Sequence, residues 1–346
     1  MKVISKTLLG SAVTALGLTL ASVVPATAAD VTLRMHQFLP PQANVPKNIL
    51  EPWAAKIEEE SGGRIEIQHF PAMQLGGKPP ELIDQALDGV ADIVWTLPGY
   101  TPGRYSRTEV FELPFMMTNA EAVSRAYWEL AEETMMDQDF KDLKVLGLWV
   151  HGPGLIHSKD PITSVADLNG TKLRAPTRVT NKMFSTMGAT AVGMPIPAVP
   201  EALSKGVIDA TVIPWEVTPA LKITELVENH TTFGDASLYT STFIFAMNKE
   251  KYESLPDDLK AVIDANSGVE FSAFAGGQMQ ADDAPGLAIA MDAGNNIIEL
   301  TPDQVAEWRD ASAGIVGEWV AEMDANGMDG SGLLARAKEL IAKHSQ

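Results

Sequence analysis

From Val31 onward the chain alternates short strand-like runs with helical stretches, and that order restricts the available folds more than any other feature. Residues 31–38 (VTLRMHQF) alternate apolar and polar side chains with the period of a strand. Residues 46–61 read as a helix that stops at Gly62-Gly63; 64–70 is a second alternating strand, 79–90 a second helix and 91–96 a third strand. This β-α-β-α-β order predicts a mostly parallel sheet with helices on both faces. A long helix over 119–134 and a buried strand over 144–150 extend it.

The same kind of unit begins again near residue 152, with strand-like stretches over 171–175, 191–193 and 210–213 and helical ones over 181–187 and 197–206. Two segments echo each other. Ala86-Leu87-Asp88-Gly89-Val90-Ala91-Asp92 closes a helix and opens a strand in the first half, and Ala202-Leu203-Ser204-Lys205-Gly206-Val207-Ile208-Asp209 does so in the second. In both, a glycine able to end the helix in the left-handed conformation is followed three residues later by an aspartate suited to the turn into the strand. An apolar strand then leads to a proline and a nearby tryptophan. Two similar α/β lobes fit this pattern. The C-terminal third is mostly helical: residues 255–290 loosened by Gly268, Gly276-Gly277 and Pro285-Gly286, then a helix opened by Thr301-Pro302-Asp303-Gln304 and running to about Met323, then 331–343. No linker is long or low in complexity.

The start of the chain reads differently. Lys2 and Lys6 precede an 18-residue uncharged run from Thr7 to Val24, followed by Pro25-Ala26-Thr27-Ala28-Ala29. A basic start, an apolar run and small residues before a break form a secretory signal. A membrane anchor is the rival reading, disfavoured by the run's Gly, Ser, Thr and Ala content and its processing-type end. Cleavage after Ala28 or Ala29 is expected, leaving a periplasmic protein. Loss of residues 1–29 removes two lysines and no acid, so the formal charge of −19 becomes −21. Such acidity argues against a nucleic-acid partner. The absence of cysteine removes disulfides, thiolate metal sites and cysteine nucleophiles at once.

No enzyme signature emerges. The six histidines (His36, His69, His151, His157, His230, His344) form no tight metal-binding spacing. There is no G-x-S-x-G elbow, Walker loop or helix-opening G-x-G-x-x-G. Acidic runs such as Glu58-Glu59-Glu60 read as solvated helix faces. No catalytic residue, metal or cofactor is expected. The informative residue is Arg174, in Asp167-Leu168-Asn169-Gly170-Thr171-Lys172-Leu173-Arg174-Ala175-Pro176. A guanidinium presents a planar fork that matches a carboxylate with two parallel hydrogen bonds. On spacing alone it serves equally as an anion anchor or a surface ion pair.

Five ordered segments carry a resemblance. Phe70 to Gly77 (FPAMQLGG), Phe111 to Phe115 (FELPF), Asp167 to Arg174, Met187-Gly188-Ala189, and Glu201 to Asp209 leading into Trp215 together resemble the extracytoplasmic solute receptors of TRAP transporters, the dicarboxylate-receptor type, over essentially the whole mature chain. The resemblance implies an α/β, two-lobed periplasmic-binding-protein fold with mixed sheets, a ligand cleft between the lobes and a long bridging helix. It divides the chain into a signal (1–29), lobe I (30–151, with part of the C-terminal region), lobe II (152–250) and a helical region (251–346) packing on both. It also implies capture of a small organic acid by clamshell closure and its delivery to TRAP membrane subunits; the protein is expected to act as a monomer. The same architecture serves ABC importers and sensory kinases, and a periplasmic hydrolase or lyase using a carboxylate pair is the alternative of another class.

By the same resemblance Arg174 is the carboxylate-binding arginine. Ile213-Pro214 replaces an asparagine common in the family, and Gly154 stands where sialic acid receptors keep a second arginine. Both departures favour a simpler or more apolar acid. Arg178 either compensates or is an exposed helix-start arginine. Trp95 and Trp215, placed at matching strand ends, either face the cleft or belong to the core. His36 and Phe38 end the first strand, where family members line the cleft. Glu216 is expected to meet a hydroxyl, an ammonium or a ligand-associated cation, or else to lie on the rim.

Overall fold

The computed structural model describes residues 29–346, so the signal-like segment lies outside the described residues except for Ala29. Eleven strands form two sheets: β1 (Val31–His36), β2 (Ile65–Phe70), β3 (Ile93–Thr96), β4 (Leu143–Val150), β5 (Leu155–Ser158), β6 (Lys172–Ala175), β7 (Thr190–Gly193), β8 (Ala210–Ile213), β9 (Asn229–Thr232), β10 (Thr242–Asn248) and β11 (Asn296–Glu299). The first sheet runs β2-β1-β3-β10-β4 and the second β11-β9-β5-β8-β6-β7. Both are mixed. In the first, β10 lies antiparallel between β3 and β4; in the second, β5 lies antiparallel between β8 and β9. The mostly parallel sheet expected from the strand–helix order thus holds for β2-β1-β3 and β7-β6-β8, with β9 and β11 a further parallel pair.

Those two trios are built alike, and the echoed sequence is the reason. Gly89 and Gly206 both adopt positive φ (68° and 69°). Each lets the next amide turn back onto the helix, Val90 N donating to Gln85 O and Val207 N to Ala202 O, both at 2.9 Å. The aspartate three residues on then pins the neighbouring strand. Arg34 N donates to Asp92 Oδ2 at 2.8 Å, and Lys172 N to Asp209 Oδ2 at 3.3 Å. Reading along β1 and β6 from these matched points sets His36 opposite Arg174 and Phe38 opposite Pro176. Reading along β3 and β8 from the two aspartates sets Trp95 opposite Val212, not opposite Trp215.

The chain crosses between the sheets at residues 151–154, again between β9 and β10, and a third time at Asp282, where the Val269–Ala281 helix passes into the Asp283–Asp292 helix. The first of these helices packs on β4 and the Ala120–Thr134 helix; the second packs on the turn at Trp215–Val217. Pro285, lacking an N–H for the preceding turn, accounts for the break between them. The Pro302–Ala325 helix then packs on the Arg178–Thr186 helix, and the Gly330–His344 helix returns to the Ala120–Thr134 helix. Strand β10, inside the 152–250 stretch expected for lobe II, therefore belongs to the first sheet. The single helical stretch expected over 255–290 is three helices, Asp257–Ala265 being the first. Helix ends follow local chemistry: Asn119 Oδ1 accepts from Ala122 N at 2.8 Å, and Gly62 (φ 64°) and Gly63 (φ 77°) follow the Glu51–Glu60 helix.

Candidate functional site

The carboxyl ends of β1, β3, β6 and β8 converge on one cavity, which the crossing segments close. Matched positions of the two trios line it together: Phe38 and Pro176, Trp95 and Val212, Leu97 and Pro214. The cavity is narrow, with about 30 Å³ open to the centre of a water-sized sphere. Its walls are aromatic. Trp95 stacks on Phe38 (centroids 4.7 Å, planes 19° apart) and on Phe243 (5.2 Å, 19°), and Tyr100 stands edge-on to Phe38 at 5.8 Å.

Arg174 is the polar centre of this space, 1 % exposed. Its Nε donates to Met194 O at 2.9 Å and its Nη1 to Val212 O at 3.2 Å, both backbone acceptors that orient the guanidinium without neutralising it. Its Nη2, buried, has no partner in full hydrogen-bond geometry among the described residues, while the Tyr100 hydroxyl lies close enough to favour its charge. Burial lowers the guanidinium's affinity for its proton, yet arginine stays charged at any physiological pH. Two phenols lie near it. Tyr100 accepts from Ile196 N at 3.1 Å, while the Tyr239 hydroxyl has no partner; burial raises both phenols above their usual range, so they remain donors. His151 is held neutral by burial, with its pKa lowered to about 4. One arrangement fits its contacts: Nδ1–H donates to Gly152 O (2.6 Å) and Nε2 accepts from Ser241 N (3.0 Å). The ring thereby ties two crossing segments together. Among the described residues, Arg174 is the only lysine or arginine lining the cavity.

Gly154 has a structural reason. A Cβ there would sit 2.2 Å from the Tyr239 ring, and Gly154 N donates to Tyr239 O at 3.0 Å. The place where a second arginine was sought is filled by a phenol from the β9–β10 crossing. Glu216 also lines the cavity, 6 % exposed, with no partner for Oε2 in full hydrogen-bond geometry. Burial, reinforced by nearby Asp283, pushes its carboxyl well above the usual range; Asp283 itself is pushed up to about 7, mainly by burial.

Four of the seven residues singled out from the sequence meet here: Arg174, Glu216, Trp95 and Phe38. Three do not. Trp215 turns away into a small cluster with Leu155 and Ala290, against His157 and His230 at 5.0 and 4.9 Å. It lies three residues beyond the true match of Trp95, and the turn at Pro214 aims the next side chain, Glu216, inward instead. Arg178 spends its charge elsewhere, with Nε 3.0 Å from Glu109 Oε1 and Nη1 2.6 Å from Glu322. His36 points under the following loop, Nδ1 2.7 Å from Gln85 Oε1 and Nε2 accepting from Leu75 N. Sequence reasoning missed Tyr100, Tyr239, Phe243 and Met279. The aromatic and β-branched run Thr242-Phe243-Ile244-Phe245 was the available signal for β10 and Phe243.

Comparison with known proteins agrees with this fold. The family model for bacterial extracellular solute-binding protein, family 7, matches residues 35–322. The C4-dicarboxylate-binding periplasmic protein DctP of Rhodobacter capsulatus is 26% identical over 314 residues, 89% of this chain and 92% of its own. A TRAP solute-binding protein from Rhodoferax ferrireducens T118, solved with copurified benzoate, is 51% identical with a TM-score of 0.89, covering 91% of this chain and 98% of its own. A marine-metagenome TRAP solute-binding protein specific for aromatic acid ligands, solved with 3-hydroxybenzoate, is 48% identical with a TM-score of 0.90, covering 92% and 100%.

Proposed function

The chain belongs to bacterial extracellular solute-binding protein family 7, and on that premise we propose that its cavity takes a small aromatic monocarboxylate, anchored by Arg174, for delivery to the membrane subunits of a TRAP-type transporter. The observation that carries this reading is the buried Nη2 of Arg174, without a partner in full hydrogen-bond geometry, facing stacked aromatic walls. A buried cationic N–H without an acceptor is costly, and a ligand carboxylate supplies what is missing. Tyr239 and Tyr100 offer further donors beside it. Trp95, Phe38 and Phe243 supply flat apolar faces for a ring. The relatives solved with benzoate and 3-hydroxybenzoate, about half identical to this chain, support an aromatic acid over the C4-dicarboxylate of the more distant DctP.

Binding is a conformational event in this reading. Phe38 and Trp95 come from one sheet and Arg174 from the other, so only the closed arrangement completes the site. Closure removes water, and the arginine–carboxylate attraction strengthens as the local dielectric falls. The negative charge of the whole chain opposes anion capture at long range, leaving selection to these local donors. No bond is made or broken: acid recovered from the protein after prolonged incubation should be chemically unchanged, and a new product would replace this reading with an enzymatic one.

The test is a thermal-shift and calorimetric screen of residues 30–346, unfolded and refolded to free the site, against benzoate, phenylacetate, succinate, pyruvate and a sugar acid. Ligands that bind only the native state raise the melting temperature by mass action. Benzoate-type acids should give the largest shift; a shift from succinate or the sugar acid alone would overturn the aromatic assignment.

A further inference from the structure

Glu216 is the second charged-type side chain at the cavity, and capture of a monocarboxylate leaves it without a task. It is held firmly. Its backbone N donates to Asp283 Oδ1 at 2.9 Å, at the start of the Asp283–Asp292 helix. That helix approaches so closely that a Cβ at Gly286 would lie 2.2 Å from Trp215 O, and one at Gly152 would lie 2.1 Å from Asp283 Oδ2. The turn carrying Glu216 is thus held by the close approach of Gly286 to Trp215 and by the hydrogen bond from its own amide to Asp283, which Gly152 packs against in turn. Oε2 is buried there with no partner in full hydrogen-bond geometry, and the Asn44 amide lies beside it, close enough to offset part of the burial.

We propose that Glu216 selects among ring-bearing acids by hydrogen-bonding a hydroxyl substituent on the ring, and that it turns away a second carboxylate. This rests on the reading of the cavity as an aromatic-acid site. Burial and Asp283 both push this carboxyl up from its usual range and so favour its protonated form, which both donates and accepts. A ring hydroxyl satisfies Oε2 and leaves no charge buried. A second carboxylate brings a full negative charge into a buried region beside Asp283 and Asp282, where among the described residues the cavity wall carries no second lysine or arginine to neutralise it. A site built to hydrogen-bond a substituent also rejects ligands that cannot meet it, because its own polar group stays unpaired.

The experiment is calorimetry on refolded wild-type, Glu216→Leu and Glu216→Gln protein with benzoate, the three hydroxybenzoates, isophthalate and terephthalate. In the wild type at least one hydroxybenzoate should bind about tenfold more tightly than benzoate, and both benzenedicarboxylates about 100-fold more weakly than that isomer. In Glu216→Leu the preference for that isomer over benzoate should collapse to within about twofold, whatever the absolute affinities; in Glu216→Gln, which keeps donor and acceptor, it should persist. An unchanged preference in Glu216→Leu, or a wild type that takes isophthalate as tightly as its favoured hydroxybenzoate, overturns the proposal. The wild-type arms decide it even if the leucine variant does not fold. Benzoate binding without any hydroxyl preference removes only the role of Glu216, whereas no binding of benzoate or any hydroxybenzoate removes the aromatic-acid reading beneath it.

Discussion

Arg174 illustrates how one residue can be both buried and poised. Two of its three nitrogens are committed to backbone carbonyls at Met194 and Val212, so its direction is set before a ligand arrives. The matched position in the other half, His36, is committed entirely to its own neighbours and offers nothing to the cavity. Replacing Arg174 with Ala should weaken benzoate binding at least about 100-fold, the worth of two charge-assisted hydrogen bonds at roughly 1.5–3 kcal/mol each. Titration calorimetry reads this directly, and affinity retained within tenfold would take Arg174 off the ligand. Gly154 has a sharper dependence on shape. Gly154→Ala drives a methyl group into the Tyr239 ring, so both melting temperature and benzoate affinity should fall, by about 1–3 kcal/mol of stability for an overpacked site. A variant as stable as the parent would mean that the ring moves aside freely.

At the scale of elements, Arg178 turns from candidate ligand into a tie. The Arg178–Thr186 helix lies in the second half of the chain, and Glu109 sits in the Ser106–Glu112 turn of the first. Glu109 takes Arg178 on one side and the Trp319 indole N–H at 3.0 Å on the other, while Glu322 takes Arg178 from the Pro302–Ala325 helix. The Glu109 side chain is 6 % exposed, so removing its cation leaves a buried carboxylate unpaired. Arg178→Ala should therefore cost about 2–4 kcal/mol, at the lower part of the range for breaking a buried pair because Arg178 itself is partly exposed. A urea melt with unchanged slope and lower midpoint is the expected signature; an unchanged midpoint would show that the tie contributes nothing. The elements most readable in the sequence were those with local punctuation: helices ended by glycine or opened by Asn119 and Thr301, and the alternating β1 and β2. Strand β10 is buried along its whole length, so it has no polar face to mark its period.

The whole molecule responds to pH through two sets of buried groups with opposite signs. His157 and His230 meet through their Nδ1 atoms at 2.7 Å, and burial holds His157 well below its usual range and His230 at about 4. The unfolded chain takes up protons near 6.5 and the folded one does not, so stability is lost as pH falls from about 6.5 toward 4. Glu112 runs the other way. It accepts from Thr242 N at 3.0 Å and Oγ1 at 2.9 Å, and burial raises it to about 7. Its contribution is full below pH 4.5 and is lost as pH rises through 7. Relative to wild type, Glu112→Gln should gain stability between pH 5 and 8, by at most about 3 kcal/mol. Denaturant melts at several pH values test this, and parallel curves for the two proteins would remove Glu112 as the source.

What the sequence by itself determined is local. The Gly-x-x-Asp turns at Gly89 and Gly206 build two equivalent strand trios, because a left-handed glycine and a carboxylate acting on the adjacent strand need only a few neighbouring residues. The position of Arg174 at a strand end follows from the same register. Only the tertiary structure decided which residues share the cavity. Tyr239 and Phe243 arrive on a crossing and a strand inserted antiparallel between partners far away in the chain, and Met279 arrives on the Val269–Ala281 helix just before its crossing at Asp282. Whether Trp215 or Glu216 faced inward depended on a turn pressed against Asp283 and Gly286, some 70 residues later in the chain. Periodicity cannot report such choices, because they are made by packing between elements and not within them.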